Sequence, residues 1–199
     1  MSKLYFRYSP MNAGKSTALL QVAYNYTERD QRPIILKPAI DTKSPEVLSR
    51  LNVSAKVDWQ IEPHHNLVLD FLDKEVEKVD CLLVDEAQFL EPAQIDQLFY
   101  IAVKRNIPVL AYGIRSDFRT NAFPGAIRLF ELAHTIEEMK TICRCGTKAM
   151  FNGHKVNGVF VNEGSQVAID GAETISYESL CGKCYINLVE YDFVNDTNN

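Results

Sequence analysis

The chain has 199 residues, 46% of them hydrophobic and 24% charged, with a formal net charge of −5. Such a composition fits a globular protein of one ordinary domain plus a small appendage. The acidic balance argues against nucleic acid as a partner, because a phosphate-backbone surface carries a basic face. The lack of any run of about 18 apolar residues argues against a membrane span.

Leu4–Tyr8 reads as a short strand. Ser16 to Asp30 reads as a helix, with Ala18, Leu19, Val22, Ala23 and Tyr26 recurring at steps of three and four. Arg32-Pro33 ends it, and Ile34-Ile35-Leu36 opens a second strand. Lys37 to about Lys56 is polar, contains Pro38 and Pro45, and is expected to be a long loop. Leu67 to Val79 is expected to be helical, with Leu67, Phe71, Leu72 and Val76 in one stripe. Cys81-Leu82-Leu83-Val84 is an unbroken apolar run, suited to a strand buried on both faces of a parallel sheet.

Glu91-Pro92 opens a helix running to about Lys104, with Pro in the first turn. Pro108–Gly113 is a further buried strand. Phe123–Ala133 reads as a helix, and Thr135-Ile136 and Met139–Ile142 as short strands. This alternation predicts an α/β domain over residues 1–142, with a mainly parallel sheet flanked by helices. From Cys143 the composition shifts to Gly, Asn, Val and Cys in short alternating segments. That predicts a small β-rich lobe over 143–192, followed by a disordered tail at 193–199.

Three groups of residues carry chemical content. Ser9-Pro10-Met11-Asn12-Ala13-Gly14-Lys15-Ser16 follows the first strand. It matches the phosphate-binding pattern G-x-x-x-x-G-K-[ST], with Ser9 at the first Gly position. A phosphate chain needs backbone N–H donors without crowding side chains, and a helix N-terminus adds its positive dipole end. Lys15 is expected to reach the β- and γ-phosphates of ATP and Ser16 to bind Mg²⁺. Asp85-Glu86 ends a buried strand. Asp85 suits the Mg²⁺, and Glu86, directed elsewhere, suits a general base.

Cys143-Arg144-Cys145 and Cys181-Gly182-Lys183-Cys184 make two close pairs separated by a β-like segment. They predict a Cys₄ zinc site, structural because four thiolates leave no open position. Structural zinc contributes on the order of 10–16 kcal/mol in finger peptides. Cys81, the fifth cysteine, reads as inert core. Phe89, Phe118, Phe123 and Tyr177 are candidates for stacking a nucleobase, with ordinary core packing as the competing reading. His64-His65 is assigned no function. No charged leader with an apolar core precedes the first strand, so a cytoplasmic protein is expected.

With these pieces in place, the chain resembles the type II thymidine kinases over roughly residues 3–190. The resemblance rests on Pro10–Thr17, Asp85-Glu86-Ala87-Gln88-Phe89, Asp117-Phe118-Arg119 followed by Phe123, and Glu163–Ile169 before Tyr177 and the last cysteine pair. It implies a P-loop, RecA-like α/β core with a zinc-bearing lobe. It also implies transfer of the γ-phosphoryl group of ATP to the 5′-hydroxyl of thymidine, with Glu86 as base and Ser16 and Asp85 as Mg²⁺ ligands. Nucleotide contact extends by the same resemblance to Thr17 and Gln88. Met11, Phe89, Ile114, Asp117, Phe118 and Phe123 match walls of the thymidine pocket, and Tyr177 a tyrosine near the sugar. Asp41 matches an acid near the phosphates.

A loop from about Gly164 to Tyr177 matches a lasso that closes over the base through backbone groups, here including Ala168 and Asp170. The family is typically tetrameric, with dTTP as feedback inhibitor. The chain departs from the family at Asp170-Gly171, where Gly-Gly is usual, in a lasso two residues longer, and at Lys43, where arginine is expected. Two other readings of the same motifs stand beside this one. One is a nucleic-acid-dependent ATPase; the other is a regulatory module that binds ATP without transfer.

Overall fold

The computed structural model describes residues 1–39, 46–48, 54–75, 77–163 and 174–189. It divides into two compact units. The first comprises Met1–Tyr8, Gly14–Arg115 and Phe123–Met139; the second comprises Ser9–Ala13, Ser116–Ala122 and the chain from Lys140 onward.

The first unit is built on β1 (Leu4–Tyr8), α1 (Lys15–Thr27), β2 (Pro33–Pro38), β3 (Glu46–Leu48), β4 (Ser54–Lys56), β5 (Trp59–Ile61), β6 (Cys81–Val84), α2 (Pro92–Lys104), β7 (Val109–Gly113), α3 (Pro124–Leu132) and β8 (Thr135–Glu138). Six strands form one sheet in the order β5-β2-β6-β7-β1-β8, every neighbouring pair parallel. Strands β2, β6 and β7 are rich in Val, Ile and Leu because such a sheet is covered on both faces. On one face Ile35, Leu83, Leu110 and Tyr112 pack with Leu19, Leu20 and Ala23 of α1. Strand alternation turns Leu82, Val84, Val109 and Ala111 to the other face, and all four are fully buried. There α2 contacts β7 and β1, and α3 contacts β1. The parallel strands bring the ends of β2, β6 and β7 and the start of α1 to one edge, the usual ligand edge of such sheets.

Helix starts follow the sequence signals. Gly14 sits at φ 81°, the left-handed region that glycine enters without strain, and its carbonyl accepts from Ala18 N at 3.0 Å. Pro92 and Pro124 occupy first-turn positions. Gln94 Oε1 accepts from Glu91 N at 3.1 Å, closing the start of α2.

Two sequence expectations are corrected. The expected loop from Lys37 to Lys56 contains structure: β2 runs through Lys37 to Pro38, and β3 pairs antiparallel with β4. Val47 is fully buried against α1 residues, an anchor that the surrounding polar residues and prolines obscure. The expected helix from Leu67 to Val79 is instead a π-turn at Leu67–Phe71 followed by a 3₁₀ turn at Leu72–Lys74. The buried side chains Leu67 and Leu72 lie five apart, a π spacing rather than an α one. Asn66 Oδ1 accepts from Val68 N and Leu69 N at the start, and Phe71 stacks on Trp59 with ring centroids 4.7 Å apart. Val76 lies outside the described residues.

The second unit holds β9 (Thr141–Ile142), β10 (Lys148–Ala149), β11 (Phe151–Val156), β12 (Val159–Val161), β13 (Ile175–Leu180) and α4 (Gly182–Val189). β9 and β10 pair as a small hairpin; β12-β11-β13 is an antiparallel sheet. Cys143, Ala149, Leu180, Tyr185 and Val189 form its core, with Phe151 and Phe160 against them. The tail 193–199 lies outside the described residues. Among the described residues no helix is long and apolar enough to cross a membrane.

Candidate functional site

In the first unit, Lys15 is buried at the first turn of α1 although it is a lysine. Desolvation lowers its pKa, and the nearby charges of Glu86 and Asp85 act the other way. Ser16 Oγ lies 3.4 Å from Asp85 Oδ2. Asp85 is 3% exposed, and its Oδ1 has no hydrogen-bond partner. Burial, then repulsion from Glu86, pushes its carboxyl up to about 7, against the attraction of Lys37 and Lys15. The Asp85 carboxylate and the Ser16 hydroxyl offer oxygen ligands of the kind that a hard divalent cation takes.

Glu86 follows at φ 50°, ψ 38°, a left-handed conformation costly for a residue with a Cβ. Glu86 lies beyond the end of β6, so strand pleating does not set its direction. Its Oε2 accepts from Gln88 Nε2 at 2.6 Å. Gln88 Oε1 in turn accepts from Ile114 N at 3.1 Å. Phe89 and Phe123 meet edge to face, ring centroids 5.3 Å apart. The structure therefore brings Lys15, Ser16, Asp85, Glu86 and Gln88 into one cluster, with Ile114 joined to it through Gln88. Thr17 stands half-buried on α1. Lys37, buried at the end of β2, was not singled out from sequence. A lysine closing an apolar strand is the signal that could have found it.

In the second unit, Ser9 and Pro10 are buried and Met11 and Ala13 half-buried. Ser9 is absent from the positive-φ positions, so serine fits where the motif has glycine. Asn12 is at φ 64°, and its Nδ2 donates to Tyr177 O at 3.0 Å. Met11 N donates to Asn152 Oδ1 at 2.7 Å, and Ser179 Oγ donates to Met11 O. The β11–β13 register sets Asn152 beside Ser179 and His154 beside Tyr177, so one face of that ladder carries all four. His154 stacks on Tyr177, ring centroids 5.0 Å apart, and meets Phe118 at a tilt, 4.5 Å apart. It is buried with neither ring nitrogen bonded, and desolvation lowers its pKa. Asn152, His154 and Ser179 were missed from sequence, because period two does not say which face of a strand meets which neighbour.

Asp117 is also buried, its Oδ1 accepting from Arg119 N (2.9 Å) and Asn121 N (2.8 Å). The phenolic group of Tyr177 is raised by burial and then by the charge of Asp117. Tyr185 Oη donates to Phe118 O at 2.5 Å. Cys143, Cys145, Cys181 and Cys184 converge, their sulfurs all within 4.8 Å of one another. Four sulfurs at such spacing fit tetrahedral zinc. Arg144, between the first two cysteines, grips Glu178 of β13 through Nε (2.6 Å) and Nη2 (2.5 Å). Asp41, Ala168 and Asp170, with Lys43 and most of the expected lasso, lie outside the described residues.

The parallel α/β sheet, the Gly-Lys-Ser turn into α1 and the buried acid that follows β6 are consistent with a P-loop α/β fold. The sequence model of the family described as thymidine kinase matches residues 2–185. A thymidine kinase of Chromobacterium violaceum is 43% identical over 188 residues, covering 93% of this chain and 98% of that one. One from Legionella pneumophila is 45% identical over 186 residues, covering 91% and 88%. One from Colwellia psychrerythraea is 45% identical over 193 residues, covering 95% and 99%. The chain belongs to the thymidine kinase family.

Proposed function

We propose that the protein transfers the γ-phosphoryl group of Mg-ATP to the 5′-hydroxyl of thymidine, giving dTMP and ADP. The observation that carries this reading is the cluster of Lys15, Ser16, Asp85 and Glu86 at one sheet edge, in a chain of this family. Lys15 would neutralise the β- and γ-phosphates, and Ser16 and Asp85 would hold Mg²⁺ beside them. Backbone groups of Ser9–Ala13 would contact the phosphate chain, with Gly14 letting the backbone turn close to it.

Glu86 would accept the 5′-hydroxyl proton as that oxygen bonds to the γ-phosphorus. The bond from the γ-phosphorus to the β–γ bridging oxygen breaks, and ADP leaves. A positioned base of this kind contributes about 10²–10⁴-fold. In the first unit Phe89, Ile114 and Phe123 are proposed as nucleoside contacts; in the second, Met11, Asp117, Phe118 and Tyr177. Asp41, Ala168 and Asp170 keep the roles that the resemblance implies. Structural zinc is proposed on the four cysteines, dTTP as feedback inhibitor, a homotetramer as the assembly, the cytoplasm as location, and no role for nucleic acid. Deoxyuridine lacks one methyl group, a difference worth roughly 1–3 kcal/mol in an apolar pocket, and should be a weaker substrate.

The test is ADP release from Mg-ATP by wild type and Glu86→Gln, with and without thymidine. Thymidine-dependent ADP and dTMP, lost in the variant, is the expected result. ADP release indifferent to thymidine would point to an ATPase, and binding without release to a regulatory module.

A further inference from the structure

Gln88 is 1% exposed, and its carboxamide is engaged at both ends. Ile114 N–H can only donate, so the carboxamide end it meets must be the oxygen, at 3.1 Å. That choice turns Nε2 toward the Glu86 carboxylate, 2.6 Å away, a short charge-assisted bond. Glu86 needs such a restraint. It stands at φ 50° before the 3₁₀ turn Ala87–Phe89, and its side chain has three rotatable bonds ahead of the carboxylate.

The strap is also built into β7. A Cβ at Gly113 would lie 2.6 Å from Gln88 Oε1 and 3.3 Å from Gln88 N. Under 3.0 Å something must shift, so the absence of a side chain at 113 is what lets the carboxamide lie against the end of the strand. The backbone of one strand end thus fixes the carboxylate that follows another.

We infer that Gln88 is a positioning residue, which holds the Glu86 carboxylate to the end of β7 through Ile114 and makes no contact with the nucleotide. The inference rests on the reading of Glu86 as the base. Its consequence is specific: Gln88 acts only through Glu86, and its removal loosens the base without touching ATP. Misplacement of a reacting group by about 1 Å can cost about 10²-fold.

The experiment is a kinetic cycle on full-length zinc-loaded protein: wild type, Gln88→Met, Glu86→Gln and the double variant, with kcat and the KM for ATP and for thymidine measured separately. Gln88→Met is expected to lower kcat about 10- to 100-fold with both KM values within about twofold of wild type. The double variant should be no slower than Glu86→Gln alone, because two residues acting as one unit are not additive. A raised KM for ATP with kcat unchanged would return Gln88 to the nucleotide and overturn the inference. So would a double variant slower than Glu86→Gln by the full Gln88→Met factor. Full activity in Glu86→Gln removes the base assignment itself, and the strap's catalytic role falls with it. If Gln88→Met does not fold, Gly113→Ala displaces the carboxamide while leaving Gln88 in place. A loss confined to kcat supports the strap there, and an unchanged kcat refutes it.

Discussion

Asp85→Asn should make the nucleotide-free protein more stable at neutral pH while abolishing transfer. Asp85 is 3% exposed, and burial and Glu86 raise its carboxyl from 3.8 to about 7. The folded state therefore holds this proton more tightly than the unfolded chain does. Its contribution to stability is greatest below about pH 4, falls as pH rises through the window from 3.8 to about 7, and is flat above it. A change of that size corresponds to on the order of 4 kcal/mol lost at pH 8. Asparagine keeps the shape, carries no charge and escapes the loss.

At about 2–4 °C per kcal/mol for a chain of this length, Asp85→Asn should melt roughly 8–16 °C above wild type at pH 8. The gap should close as pH is lowered to 4. Thermal melts of both proteins without Mg²⁺ or ATP, in steps from pH 4 to 8, measure it. A variant no more stable than wild type at pH 8, or a gap that widens toward acid, would refute the argument that Asp85 is held in an unfavourable ionisation state.

The other predictions concern the second unit. Cys181→Ser should lower the melting temperature, bound zinc and thymidine affinity together; full zinc content with unchanged affinity would contradict the Cys₄ assignment. Glu178 is pulled down to about 2, first by its hydrogen bond from Arg144, and lies also beside Lys155. Its contribution is present above 4.5 and lost as pH falls toward 2, so Glu178→Gln should cost on the order of 1–2 kcal/mol at pH 7. Urea titrations at pH 7 and 3 read this, and an equal cost at both would count against the linkage. His154→Phe should stabilise by about 1–3 kcal/mol, because an apolar ring replaces an imidazole with two unbonded nitrogens. Burial lowers the pKa of His154 below 6.5, so wild type loses stability as pH falls below 6.5. Melts from pH 7.5 to 5 should show less acid loss in the variant, and parallel curves would discount His154.

Strands β1, β2, β6 and β7 were legible because they are short and largely apolar, whereas β5 was not read from the sequence and a π-turn and a 3₁₀ turn, not an α-helix, precede β6. The Gly-Lys-Ser turn into α1 and the convergence of the cysteine pairs were legible because each is a local pattern with a set spacing. What failed was structure that no local periodicity announces. Val47 buries one side chain in a polar stretch, and the Leu67–Leu72 turn takes a π spacing that helical periodicity does not seek. What was missed depended on strand pairing. Asn152 and His154 become neighbours of Ser179 and Tyr177 only once β11 and β13 are in register, and no local pattern states that register. Gln88 was legible as a motif residue, but its two hydrogen bonds, one to a strand end 26 residues on, were not.

The residues proposed for chemistry are also those held in the least favourable states. Asp85 is buried with an unbonded oxygen, Lys15 is desolvated, and Glu86 occupies a left-handed conformation. Each arrangement costs stability in the nucleotide-free protein, and no fold requirement demands these side chains there: β6 would be as well packed ending in a neutral residue. A divalent cation would satisfy the Asp85 oxygen, and phosphates would offset the buried lysine charge. The free energy withheld from folding would then reappear as binding. This ties the stability and kinetic tests together. Asp85→Asn should gain in melting temperature what it loses in Mg-ATP affinity, whereas a residue that only supported the fold would lose both.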